Sequence, residues 1–400
     1  MKIAYFFAGL FVFCWWGVAF REEFSFLTPS PKSEESLPPS SSLSLDRIAF
    51  HRALSGDFRE MGALLSSWFQ ETAALREKYP AELLFFKENS VEERLYAKLL
   101  AHLVLSDPET AHAINQILQP SQMKDDSGRM LPLSSEFKLF LPQTYAAASF
   151  LLSICPPQKL AAIPAGLKTM PQLYSGSLLQ TISLRASLSQ LRPDLAFVAP
   201  YSSPYVIERL RNQGVVLCSM DHRGRVDKIA TDFLKIGEAS MHSLEAALAV
   251  FFFRKAVHVI DTQFRALWLG LEKKAPLKIL YLTQRCDFWL PGFESQPGGL
   301  LSRALSLCEG WECPLSKGYH APYTKEEILH DQPDILMISA SHPESVRSSL
   351  EREEWMRELT AFRNKKIFYL DEVIQNSPTQ YLALAYLDLF LALKTALVEK

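Results

Sequence analysis

Leu191-Arg192-Pro193-Asp194-Leu195-Ala196-Phe197-Val198 and Asp331-Gln332-Pro333-Asp334-Ile335-Leu336-Met337-Ile338 share one pattern. In each, a helix-patterned stretch meets a proline, whose ring blocks helical continuation and biases the preceding residue toward extended backbone, and a short apolar run comes next. The pattern predicts helix, breaker and buried strand, twice. Between the two copies, Tyr205 to Ala275 contains no proline. From about Ser240 to Lys274, Leu248, Phe252, Ala256, Ile260, Phe264, Leu267 and Leu271 recur at three- and four-residue steps, which predicts one long helix with a continuous apolar stripe. At 1.5 Å per residue such a helix is on the order of 50 Å long, enough to touch both neighbours. Gly237 is the expected joint before it. The expected fold class is α/β: two lobes with mainly parallel sheets joined by a long interdomain helix.

The lobes extend outward from these anchors. In the first, residues 137–224, Phe137–Leu141 reads as a strand, Pro142-Gln143-Thr144 as a turn, Tyr145–Ser153 as a helix and Leu160–Ile163 as a strand. Leu178–Leu191 reads as a helix and Val215–Cys218 as a strand. The interdomain helical region occupies 225–275. In the second lobe, 276–400, the pattern predicts a strand at Lys278–Leu282, a long loop from Thr283 to Gly298 and a helix at Gly299–Cys308. Helices at Tyr323–His330 and Trp355–Arg363, a strand at Lys366–Leu370 and a C-terminal helix at Ser377–Leu397 complete it. Leu210-Arg211-Asn212-Gln213-Gly214-Val215 parallels Phe362-Arg363-Asn364-Lys365-Lys366-Ile367, as two copies of one design would. Alternating strands and helices imply parallel sheets with helices on their faces.

Toward the amino end, Ile3–Phe20 is strongly apolar, comes after Lys2 and ends near Gly17-Val18-Ala19, which fits a signal peptide over 1–19 with small residues at the cleavage site. An uncleaved anchor is the minor alternative. A lipoprotein signal at Cys14 is disfavoured by the bulky Phe13 before it. Residues 20–45, rich in serine and proline, read as a disordered linker. Residues 46–120 read as a small all-α module, and Gln119–Ser135 as a polar connector. The expected location is therefore periplasmic or otherwise extracytoplasmic, peripheral to the membrane. Cleavage leaves Cys155, Cys218, Cys286, Cys308 and Cys313, an odd number. Cys308 and Cys313 are near enough to staple one loop; scattered buried thiols are the alternative reading. With a formal net charge of −2 and a pI near 6.5, the chain has no basic footprint for nucleic acid. Nine dispersed histidines and no C-x-x-C or H-E-x-x-H spacing give no metal site.

From Phe137 to Leu393 the chain resembles the substrate-binding proteins of ABC importers for ferric siderophores, haem and cobalamin. The resemblance is carried by the Leu141–Thr144 turn, the Pro193–Val198 strand, Gly214-Val215-Val216 and the long helix. It continues through Ile279–Gly299 and Glu326–Asp334 to Arg363-Asn364-Lys365-Lys366-Ile367-Phe368-Tyr369-Leu370-Asp371. It implies a bilobal binding protein that holds its ligand between lobes with small closure, carries out no chemistry and needs no cofactor. It also implies an ABC permease as partner, docked through an acid on each lobe. The second-lobe position matches Glu326; the first-lobe counterpart, in Ile182-Ser183-Leu184-Arg185-Ala186-Ser187, is Arg185 or Ala186, a departure from the usual acid.

In open α/β sheets ligands meet the loops at the carboxyl ends of strands. The candidate contacts are Gln143, Thr144 and Tyr145, then Tyr201, Ser202 and Tyr205, on the first lobe. Arg285, Phe288, Trp289 and Phe293, with His342, are those on the second. Aromatic faces suit a macrocycle or catecholate and a guanidinium suits an anionic chelate. The aromatics of 285–293 either line a pocket or cap a core, and Asp221-His222-Arg223 reads as a solvated turn. No G-x-G-x-x-G, Walker or G-x-S-x-G motif supports a nucleotide-using enzyme or a nucleophilic hydrolase. The remaining rival is a binding-protein-like scaffold or sensor that uses its N-terminal helical module for partner contacts.

Overall fold

In the computed structural model the described residues are 46–78, 91–134, 136–174, 182, 192–221, 226–271 and 276–398. The expected signal peptide and linker, most of the expected Leu178–Leu191 helix with Arg185 and Ala186, and His222-Arg223 lie outside them.

Among the described residues four helices come first: α1 (Arg47–Leu54), α2 (Phe58–Lys78), α3 (Val91–Ser106) and α4 (Pro108–Leu118). Asp46 caps α1 by accepting from the Ile48 and Ala49 amides, and Asp107 caps α4 through Thr110. The segment read as a connector instead forms a hairpin of β1 (Gln122–Lys124) and β2 (Met130–Pro132). Asp125 builds its turn, accepting from the Ser127 and Arg129 amides, which supplies local structure that composition alone hides.

The first sheet is parallel, in the order β3 (Phe140–Pro142), β4 (Leu195–Val198), β5 (Val216–Ser219). All four residues of β4 are buried, as a strand covered on both faces requires. Leu195 and Phe197 face the main core, whereas Ala196 and Val198 face a smaller one with Leu141 and Leu217. The expected strand at 160–163 shrinks to one bridge between Phe140 and Leu160, hemmed between Pro157 and Pro164. Helices α5 (Tyr145–Ile154) and α6 (Pro204–Asn212) belong to this lobe.

Next come α7 (Val226–Ala239) and α8 (Ser243–Gly270). The long helix is continuous but begins later than expected, and the break is not at Gly237. It falls at residues 240–242, where Met241 has φ of 60°. Gly237 lies inside α7, and a Cβ there would come within 2.3 Å of the Ala246 Cβ, so this glycine permits close packing of α7 on α8. The 28 residues of α8 span about 42 Å. Phe252, Ile260 and Phe264 of α8 share one core with Trp68 of α2, Phe150 of α5, Phe233 of α7 and residues of the second lobe.

The second sheet runs β11 (Ile367–Asp371), β10 (Ile335–Ala340), β6 (Leu277–Gln284), β7 (Phe288–Pro291), β9 (His320–Tyr323), with β8 (Trp311–Glu312) also on β6. Its first three strands are parallel; β7 and β9 are antiparallel additions. The stretch read as a long loop therefore contains a strand. The Tyr323–His330 helix starts late, as α10 (Lys325–Asp331), because Tyr323 completes β9 and Thr324 with Glu327 forms a capping box. The lobe's other helices are α9 (Gln296–Leu307), α11 (Pro343–Leu350), α12 (Thr360–Arg363), α13 (Glu372–Gln375) and α14 (Leu382–Val398). The expected 355–363 helix splits into a 3-10 turn, Glu354–Glu358, and α12. The C-terminal helix begins at Leu382, after Pro378.

The two Pro-Asp steps perform one task. Asp194 accepts from the Lys138 and Leu139 amides at 2.8 and 2.9 Å, and Asp334 accepts from the Lys278 amide at 2.9 Å. The Lys138–Asp194 and Lys278–Asp334 separations are both 56 residues. Each aspartate thus clips the start of the neighbouring strand. The thiols of Cys308 and Cys313 are free, so no staple forms there: Cys308 is buried beside the Phe264 carbonyl, 3.6 Å from its oxygen. Among the described residues no helix is long and apolar enough to cross a membrane.

Candidate functional site

The three parallel strands of the second sheet end level with one another, because Gln284 pairs with Ala340 and Ala340 with Asp371. The next residues, Arg285, Ser341 and Glu372, therefore emerge side by side. Glu372 accepts from Arg285 Nε at 2.8 Å and from Ser341 Oγ at 2.7 Å, with Asn376 Nδ2 at 3.4 Å. Together they form one wall of a cleft of about 410 Å³. The opposite wall comes from the first lobe: Tyr145 at the start of α5, then Leu167, Met170, Leu173 and Tyr174. Asn376 to Thr379, between α13 and α14, completes the lining.

That lining is supported from below. Tyr174 meets Tyr381 edge to face at 5.8 Å, and Tyr381 donates to the Leu173 carbonyl and pairs with Ser55 Oγ of the N-terminal helices. His51 of α1 stacks on Tyr381, and burial pushes its pKa down. Arg47 makes a bidentate pair with Asp388 of α14, while Gly56 lies so close to the Ser153 carbonyl of α5 that a Cβ would sit 2.2 Å from its oxygen. The start of the described chain thus touches both the first lobe and the C-terminal helix. Burial holds the phenols of Tyr174 and Tyr381 well above the usual range, so both stay neutral.

No family model and no curated protein matches this sequence. Solved structures do. Molybdate-bound MolA, a periplasmic binding protein of Haemophilus influenzae, superposes with a TM-score of 0.53 at 14% identity, covering 68% of this chain and 91% of its own. This is the fold of the periplasmic binding proteins of ABC importers. A periplasmic haem-binding protein from Pseudomonas aeruginosa (TM-score 0.50, 15% identity, 63% of this chain and 91% of that one) shares it. So does a periplasmic solute-binding protein from Veillonella parvula (0.50, 15%, 70% and 93%).

Within this binding-protein fold the expected contacts separate. Tyr145 and Arg285 line the cleft, and Trp289 lines a smaller cavity that shares Arg285. Phe288 does not: strand alternation turns it to the other face of the sheet, 7% exposed in a core with Leu282 and Ile338 and edge-on to Trp355 at 6.0 Å. Phe293 lies beyond the strand and is 61% exposed. Thr144 is 4% exposed, its hydroxyl spent capping α5 through the Ala147 amide. Ser202 Oγ accepts from the Ala199 amide within its own turn. Gln143 donates its amide to Phe197, while Tyr201, Tyr205 and His342 are exposed and none of these four is in the lining.

Ser341, Glu372, Asn376 and the Leu167–Tyr174 wall escaped the sequence reading. Applying the strand-end rule to β10 and β11 as strictly as to β6 would have found Ser341 and Glu372. The 167–174 wall has no such signal, since it comes after a 3-10 turn, Ala165–Thr169, rather than a strand. Glu326 is exposed in the first turn of α10, and its first-lobe counterpart lies outside the described residues.

Proposed function

We propose that this protein captures a solute between its two lobes in the periplasm, after export on residues 1–19, and delivers it to an ABC permease, performing no covalent chemistry. The observation that carries the reading is the cleft, walled from both lobes by aromatic, apolar and charged side chains. Its volume falls within the ~300–1,000 Å³ usual for small-molecule sites. The proposed solute is a ferric siderophore or other iron chelate, haem, or the cobalt corrinoid cobalamin. The aromatic and apolar side chains of the walls suit the organic shell of a chelate. Tyr145 offers a ring 46% exposed and Arg285 a charge for an acidic periphery. Glu326 is proposed as the second-lobe docking acid.

Titration of the mature protein with haem, cobalamin and ferric siderophores, monitored by tryptophan fluorescence, tests this. A saturable change with one of them is expected, and Tyr145→Ala, which removes the exposed ring of the cleft, should weaken it by about 1–3 kcal/mol, the scale of a lost aromatic anchor. No saturable change with any would favour the scaffold reading, in which the N-terminal helices serve a partner.

A further inference from the structure

Behind Arg285, the second lobe contains a cavity of about 120 Å³ lined by Thr283, Arg285, Trp289 and His320. Strand register assembles it. Thr283 pairs with Trp289 across β6 and β7; Pro291, on the same face as Trp289, pairs with His320 across β7 and β9. Thr283 is 1% exposed, yet its hydroxyl has no hydrogen-bond partner, and neither has the buried Nδ1 of His320. Native interiors seldom leave such atoms unpaired.

The lining is rich in donors. A guanidinium and an indole only donate, and a hydroxyl and an imidazole N–H each can. No carboxylate lines the cavity. The nearby acid, Glu372, takes only the Nε–H of Arg285 and is otherwise occupied by Ser341 and Asn376. The outer guanidinium N–H groups have no partner among the described residues. An acceptor-only guest with negative charge would complete the Thr283 hydroxyl, the outer guanidinium N–H groups of Arg285 and, in its Nδ1–H tautomer, His320.

We propose that Thr283, Arg285, Trp289 and His320 form an oxyanion pocket that takes a carboxylate or phosphate-type group. Arg285 lines both the pocket and the cleft, so the anion is either a free ion or the acidic end of a solute held between the lobes. Only the second source rests on the solute-capture reading.

The test is fluorescence titration of the full mature chain with inorganic phosphate, sulfate or acetate, and separately with ferric citrate as a carboxylate-bearing chelate. Thr283→Val removes the hydroxyl at nearly constant shape, and Arg285→Gln removes an exposed charge, so a folding failure of one leaves the other informative. Saturation by the simple anions, weakened roughly tenfold or more in either variant, supports a free-ion site. Saturation by the chelate alone, weakened likewise, supports a solute-borne group. No saturation by any of these, or saturation that neither variant weakens by roughly tenfold, overturns the pocket. If cobalamin titrates while neither the simple anions nor ferric citrate does, the pocket fails and the cleft reading stands; anions binding where no larger solute does gives the converse.

Discussion

The two lobes begin alike and then diverge. Each opens with a strand clipped at its start by the aspartate of a Pro-Asp step, and in each the three parallel strands lie side by side in chain order: β3, β4, β5 in one and β6, β10, β11 in the other. They differ in the chain just after the first strand. The first lobe turns at once into α5, capped by Thr144, and then into the 3-10 turn that leads to Leu173 and Tyr174. The second inserts the β7 and β9 strands, which carry Trp289 and His320. The shared frame sets where a site can be; the unequal insertions set what it is made of.

Acid should separate the lobes most strongly. His242, at the break between α7 and α8 and packed against Cys155 of the first lobe, is pushed down to about 4 by burial, aided by the Lys159 charge. Unfolded, the imidazole takes its proton near 6.5, so the unfolded state gains protons first and stability falls as pH drops from about 6.5 to 4, by about 3 kcal/mol in all. Urea unfolding across that window should show a slope that His242→Gln flattens. The half-buried His320 of the second lobe is lowered by burial and by Arg285, and His320→Gln should flatten the slope less.

The clips come next. Asp194 holds two backbone amides and Asp334 one, so Asp194→Ala should cost about 2 kcal/mol and Asp334→Ala about 1 kcal/mol in denaturant unfolding. Equal losses would mean the clips are not the reason the two steps look alike.

Smallest is the left-handed residue that ends the helix before each lobe's third parallel strand. The backbone matches Gly214 (φ 76°) to Lys365 (φ 57°), each donating its amide to the carbonyl three residues earlier. This is one residue off the pairing suggested by Leu210–Val215 and Phe362–Ile367. Lys365→Gly should stabilise by about 0.5–1 kcal/mol and Gly214→Ala destabilise by about 1 kcal/mol, read as shifts in Tm.

Much of the frame was legible. Proline blocks a helix and an all-apolar run of four to six residues must be covered on both faces, so the strands at 195–198 and 335–338 could be read locally. The long apolar stripe of α8 was equally local. The site was less so. Tyr145 and Arg285 line the cleft where the strand-end rule, a topological one, expects them. Phe288, Trp289 and Phe293 looked equivalent because residues 285–293 read as loop; once β7 forms, alternation sends Phe288 to a core, Trp289 to a cavity and leaves Phe293 in solvent.

Sequence by itself determined the α/β class, the two Pro-Asp halves and the helix between them, because breakers and hydrophobic periodicity act over a few residues and need no partner. Only the tertiary structure decided that Arg285, Ser341 and Glu372 stand together, that Thr283 and His320 share a cavity, and that the N-terminal helices join the core of both lobes. Those facts depend on strand register and on contacts between residues far apart in the chain, which no local pattern encodes.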